Sequence, residues 1–213
     1  YDYTIGRKNM NIKDHIGIFD KGLPLNVCEA VIQSFNLWEE QKEFIGDAFK
    51  KGDDQFKDGQ LSRSDTQLCL EVVDLELFKT LNGFIRKAFE EYTTVYGGIL
   101  QNNDPVSTWT TKVQKTTAGG GYHQWHCENG QFLYRDRVLA WMIYLNTIPA
   151  ENGGGTDFLH QKLTLQPEAG TIVLWPASYT HMHRGGFLTG DINKYIATGW
   201  FLREPRQNTQ NLL

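Results

Sequence analysis

Val138-Leu139-Ala140-Trp141-Met142-Ile143-Tyr144 reads as a β-strand. Branched and aromatic side chains suit a pleated, packed surface. Outward from this run, three segments share its grammar: Thr108-Trp109-Thr110-Thr111-Lys112-Val113, Thr171-Ile172-Val173-Leu174-Trp175 and Tyr195-Ile196-Ala197-Thr198-Gly199-Trp200-Phe201. Turn signals separate them at Gly119-Gly120-Gly121, Glu151-Asn152-Gly153-Gly154-Gly155, Pro167-Glu168-Ala169-Gly170 and Gly185-Gly186. Several strands punctuated in this way predict a sandwich or an open barrel.

The first half is mixed. Ile16-Gly17-Ile18-Phe19 is a strand candidate. Asn26, with Glu29 three residues on, resembles a capping box, and Val27, Val31, Phe35 and Trp38 give the helix an apolar stripe. The polar stretch Lys50 to Ser64 predicts a loop and a candidate substrate lid. Leu68 to Val73 reads as extended. Asp74 then caps a second helix with Leu77, Leu81, Ile85, Ala88 and Tyr92 on one face, and Gly97-Gly98 closes the helical region.

The chain has 213 residues, 40% of them hydrophobic and 22% charged, which suits one soluble domain. We expect residues 1–105 to supply helical support plus strands, and residues 106–205 the chemistry-bearing β core. The net charge of -4 argues against a general nucleic-acid binder. No apolar run is long enough to span a bilayer, and the opening residues Tyr1-Asp2-Tyr3-Thr4 carry no signal-peptide pattern. Cys28, Cys69 and Cys127 are scattered and odd in number, which suits a reducing compartment, so a cytoplasmic location is expected.

Four of the six histidines fall in two short clusters, Tyr122-His123-Gln124-Trp125-His126-Cys127-Glu128 and Tyr179-Thr180-His181-Met182-His183-Arg184. On a strand, positions two apart share a face, so His126 and Glu128 could reach one ion while Cys127 points away. A histidine from the second cluster would complete a set of two histidines and one carboxylate. Such a set leaves coordination positions open and is typical of non-haem Fe(II) oxygenases. His181 and His183 have the same parity, so the residues alone leave both open.

The order of motifs resembles the prolyl 4-hydroxylase-like family of 2-oxoglutarate/Fe(II) oxygenases. In sequence come Tyr122, His126-Cys127-Glu128, Arg137, Tyr144-Leu145-Asn146, Gly153-Gly154-Gly155-Thr156-Asp157-Phe158, Pro167-Glu168-Ala169-Gly170, His183 and Lys194. The resemblance runs from about Tyr122 to Trp200. It implies a double-stranded β-helix, or distorted jelly roll, with flanking helices. It implies Fe(II) held by His126, Glu128 and His183, His183 being preferred because Lys194 follows it at close to the family spacing. It implies 2-oxoglutarate as co-substrate, with Lys194 and Tyr144 at its far carboxylate and Tyr122 as a further hydroxyl. Ascorbate enters as an accessory reductant. The implied reaction is hydroxylation of a peptidyl or small-molecule substrate, with peptidyl proline favoured.

The carboxylate departs from the family, which usually has Asp where this chain has Glu128. Arg184, beside His183, is a candidate for an anionic ligand or for a surface ion pair. Two other readings remain at this stage. One is a cupin-like metalloprotein that uses the clustered histidines without a 2-oxo acid. The other is a non-catalytic β-sandwich binding module.

Overall fold

Arg137–Tyr144 lies inside an eight-stranded sheet in which every neighbouring pair is antiparallel. The order is Met10–Lys13, Ile16–Phe19, Ile172–Pro176, Arg137–Tyr144, Lys194–Arg203, Val106–Thr116, Thr66–Cys69 and Phe49–Lys51. A smaller sheet joins Leu163–Leu165, Thr156–Phe158 and His183–Gly185, and a third joins Gln55–Lys57, Gln60–Ser64 and Gly121–Tyr122. This is a computed structural model, and it describes residues 10–51, 55–57, 60–103 and 105–204.

The large sheet is buried on both faces, which is why its strands read as nearly continuous apolar runs. Leu139, Trp141 and Ile143 point to a core shared with the two long helices, Leu25–Glu40 and Leu75–Val95. Ala140, Met142 and Tyr144 point to the other side, where Phe158 of the small sheet packs with Val173, Trp175 and Trp200. The sheets thus form two layers with a filled interior, and the helices back the outer layer. Among the described residues no helix is long and apolar enough to cross a membrane.

All four expected core strands form, as does Ile16–Phe19. Asp74 caps the second helix by accepting from the Leu77 N–H at 3.1 Å, and Leu81, Ile85, Ala88 and Tyr92 are buried along it. Three expectations are corrected. The first helix has no capping box at Asn26: it begins at Leu25, and the Val27 and Cys28 N–H groups already donate to the Pro24 carbonyl at 3.0 and 3.1 Å. Leu68–Val73 is only half extended, because the strand ends at Cys69 and Leu70–Val73 is helical. There the Glu71 carboxylate accepts from the Thr110 hydroxyl and the Thr111 N–H.

The Lys50–Ser64 stretch is not a plain loop. Its described parts hold strands, and Arg63 and Ser64 pair with Tyr122 and Gly121. Tertiary pairing overrides a polar local composition here. Residues 52–54 and 58–59 of the candidate lid, and the opening residues 1–4, lie outside the described residues.

Candidate metal centre

His126 and Glu128 do not sit on a regular strand, as their spacing suggested. The strand Gly121–Tyr122 gives way to an irregular extended segment in which His126 forms an isolated antiparallel bridge with His183. Each N–H donates to the other's carbonyl, His126 to His183 at 3.0 Å and His183 to His126 at 2.9 Å. The Glu128 N–H donates to the Ala177 carbonyl at 2.9 Å. Backbone pairing across two distant segments therefore brings the three residues together, and their ligand atoms all lie within 4.8 Å of one another.

The remaining polar atoms of the three side chains are tied back. Nδ1 of His126 lies 2.8 Å from the Gln124 carbonyl, and Nδ1 of His183 lies 2.9 Å from the His181 carbonyl. A carbonyl can only accept, so each Nδ1 carries the proton and each Nε2 is left as a lone-pair donor. Fixing a metal-binding imidazole through its other nitrogen sets its tautomer and orientation. Glu128 is divided in the same way. Its Oε2 accepts from Trp200 Nε1 at 2.8 Å and Arg137 Nη1 at 3.2 Å, and its Oε1 faces His183 Nε2 at 3.2 Å and His126 Nε2 at 3.7 Å. Burial alone would raise the Glu128 pKa. When the Nε2 atoms are protonated as well, hydrogen bonds and charge from His126 and His183 outweigh it and hold the carboxyl well below its ordinary value.

The rival histidines are spent elsewhere. His181 is buried, with Nε2 at 2.8 Å from the Asp14 carbonyl and Nδ1 at 2.9 Å from the Thr180 hydroxyl. His123 stacks on Phe187 at 3.8 Å, and its Nδ1 meets the Gly185 carbonyl at 3.0 Å. Arg184 makes an ion pair with Asp157 at 3.1 Å and lies over the Trp125 ring.

The three residues open onto a cavity of about 350 Å³ that Tyr122, Thr156 and Lys194 also line. Tyr122 stacks on the His126 imidazole, with ring centroids 3.9 Å apart. Lys194 is buried and donates to the Gly154 carbonyl at 2.6 Å. No carboxylate pairs with it among the described residues, and burial pulls its pKa down to about 8. Tyr144 stands one layer back: fully buried, it donates to Thr156 Oγ1 at 2.8 Å, and Thr156 rather than Tyr144 is on the cavity wall. Cys127 also lines the cavity, although it stands outside the convergent ligand group.

The donor set suits Fe(II), since two imidazoles and a carboxylate on one side leave positions for further ligands. An unpaired buried ammonium in the same cavity suits an anionic co-substrate, because a lone buried charge is costly until it is paired. Residues 111–202 match the model of the 2OG-Fe(II) oxygenase superfamily. That segment, which holds His126, Glu128, His183 and Lys194, is a 2OG-Fe(II) oxygenase domain by this match. The oxygenase fold is also that of several solved structures. A viral collagen prolyl hydroxylase from Paramecium bursaria Chlorella virus-1, solved with 2OG, is 18% identical, with 90% of this chain and 97% of that chain covered and a TM-score of 0.65. A Pseudomonas putida prolyl-4-hydroxylase is 15% identical over 90% and 94% of the two chains, with a TM-score of 0.67. A Trichoplax adhaerens prolyl hydroxylase, in complex with a hypoxia-inducible factor peptide fragment, is 17% identical over 89% and 84%, with a TM-score of 0.65. A comparison with curated protein sequences gives no match. The two-layered sheet arrangement of this chain is the double-stranded β-helix.

The sequence reading missed Trp200 and Arg137 as partners of Glu128, and Thr156 as a wall residue. A usable signal was present for Trp200: it is six residues beyond Lys194 on one strand and so shares its face.

Proposed function

We propose that this oxygenase hydroxylates its substrate at an Fe(II) centre held by His126, Glu128 and His183, with 2-oxoglutarate bound toward Lys194. One observation carries the reading: two Nε2 atoms and one Oε1 converge while the opposite atom of each side chain is tied to the protein. Fe(II), when bound, would activate dioxygen as the oxidant, with two electrons drawn from 2-oxoglutarate as it becomes succinate and carbon dioxide, two from the substrate, and one oxygen atom passing to each.

The protein's own residues do the rest. The backbone bridge between His126 and His183 holds two ligands in register. Trp200 and Arg137 present one Glu128 oxygen to the metal and hold the other. Lys194 neutralises the far carboxylate of the co-substrate, and Thr156, oriented by the Tyr144 hydroxyl, offers it a hydrogen bond. Tyr122 braces His126 and borders the co-substrate. Tyr144 therefore acts in this proposal through Thr156. Ascorbate, as a reductant that keeps the iron ferrous, belongs to the same proposal. The free thiols of Cys28, Cys69 and Cys127 support a reducing, cytoplasmic setting.

The proposed substrate is a peptidyl proline. Support comes from the fold shared with prolyl hydroxylases. The test is a set of proline-containing peptides, scored for extra succinate and for a product heavier by one oxygen atom on proline. Stimulation with that product supports the substrate; its absence across the set, with succinate still formed, removes peptidyl proline and leaves a small-molecule substrate. A cupin-like protein without a 2-oxo acid would give the buried Lys194 no anion to meet, and a binding module would have no need of the convergent donors.

A further inference from the structure

Lys112 is, after Lys194, a second cation of the cavity wall with no carboxylate partner among the described residues. On the final strand, Thr198 pairs with Lys112, but Trp200 pairs with Trp109. The strand Val106–Thr116 thus carries one extra residue opposite Gly199, a β-bulge at Thr110 and Thr111. Directly paired residues share a face, so Lys112, Gln114 and Thr116 lie on the inner face with Thr198, Ile196 and Lys194. Bulges are common next to active sites, and this one ends the regular run immediately beyond Lys112.

The bulge is fastened. Thr110 has a positive φ of 45°, and Glu71 accepts from its hydroxyl and from the Thr111 N–H. A Cβ on Gly199 would come within 2.4 Å of the Thr110 carbonyl, so the partner strand leaves room for the distortion. Backbone strain of this kind costs on the order of 1–3 kcal/mol and persists only where the surroundings impose it.

The other cations of the wall are accounted for. Arg63 pairs with Asp65, Arg137 with Glu128 and Arg184 with Asp157. Lys194 is assigned to 2-oxoglutarate. Lys112 has no carboxylate and no hydrogen-bond acceptor among the described residues; its ammonium lies 5.2 Å from the Trp200 ring centroid. Burial and the neighbouring Arg63 lower its pKa, the mark of a charge short of a counter-ion.

We propose that Lys112 receives a carboxylate carried by the substrate itself, so that the oxygenase prefers an acidic substrate. This rests on the hydroxylase reading and narrows its substrate class. Two sources share the chemistry, an Asp or Glu side chain beside the oxidised residue of a peptide and the α-carboxylate of a free amino acid. A single free cation beside the Trp200 indole suits one planar carboxylate better than a doubly charged phosphate.

The test is equilibrium binding, which does not require turnover. Paired probes are titrated against the full chain with 2-oxoglutarate present, followed by tryptophan fluorescence. The pairs are Gly-Asp-Pro-Gly against Gly-Asn-Pro-Gly, and L-proline against L-prolinamide. In the wild type at least one acid should bind about tenfold or more tightly than its amide, and the pair that discriminates identifies the source. Lys112→Gln should abolish the preference while amide binding stays the same. Lys112→Arg should keep it. Equal binding of acid and amide in the wild type overturns the proposal, as does a preference that survives Lys112→Gln. Succinate formation, measured separately in the wild type, reports on the oxygenase reading alone.

Discussion

His126 and His183 are hydrogen-bonded to each other through their main chains, 57 positions apart in sequence, and their rings lie 4.3 Å apart and tilted by 54°. The separation of the two imidazoles is therefore set by backbone pairing. Side-chain packing only refines it. The nearby histidines differ from this pair in what their ring nitrogens meet, and that difference is testable.

His183→Ala and His181→Ala should part company. The first should abolish Fe(II) binding in anaerobic titration. The second should leave it within about threefold and lower stability by roughly 1–3 kcal/mol, because a buried ring that donates to the Asp14 carbonyl is lost. Burial lowers the His181 pKa. The unfolded chain then takes up a proton before the folded one, so the stability His181 contributes is present above about pH 6.5 and is lost as the pH falls below it. Denaturation midpoints of wild type and His181→Ala across pH 5 to 8 would show this. A wild-type curve no steeper than the variant's would contradict it.

Trp200→Phe keeps the ring and removes one donor to Glu128 Oε2. Outer partners of metal ligands are typically worth about 10–100-fold in affinity or activity. Fe(II) affinity should fall within that range, with little change in fold by circular dichroism. Unchanged affinity would mean that Arg137 alone positions the carboxylate.

Lys194→Met should weaken 2-oxoglutarate binding by about 10- to 150-fold, from the loss of a charge-assisted hydrogen bond of roughly 1.5–3 kcal/mol. Calorimetric titration measures it. Without co-substrate the variant should be no less stable than wild type, since it removes an unpaired buried charge. The wild type should also gain stability relative to the variant as pH rises from about 8 toward the ordinary lysine value. In that window the unfolded chain still holds a proton that the folded Lys194 has released. A difference that is flat with pH would contradict the buried placement.

Gly199→Ala would push a methyl against the Thr110 carbonyl and the Trp141 ring, 2.4 and 2.5 Å away. Overpacking at such a site costs typically about 1–3 kcal/mol. Urea denaturation should show a loss in that range, and a change below about 0.5 kcal/mol would mean that the bulge relaxes freely.

The two-layer fold was legible because its central strands bury both faces, and Val138 to Tyr144 announces this in composition alone. The ordered motifs from Tyr122 to Lys194 named the candidate site residues. What the sequence hid depended on partners far along the chain. The Gln60–Ser64 strand is polar, and only its pairing with Gly121–Tyr122 makes it extended. Asn26 carries the letters of a cap, but Pro24 had already started the helix. Trp200 and Arg137 become functional only where the fold brings them to Glu128. Lys112 reads as an ordinary strand residue, and only the pairing of its strand with Lys194–Arg203 brings it to the cavity wall.

The central claim is that His126, Glu128 and His183 hold the iron of a 2-oxoglutarate oxygenase. Its most direct measurement is succinate formed from 2-oxoglutarate under air, in purified wild type and in His126→Ala. The wild type should produce succinate only when Fe(II) is supplied, and His126→Ala should produce none above background while keeping its fold. Turnover in His126→Ala equal to wild type, or wild-type turnover indifferent to Fe(II), would contradict the assignment.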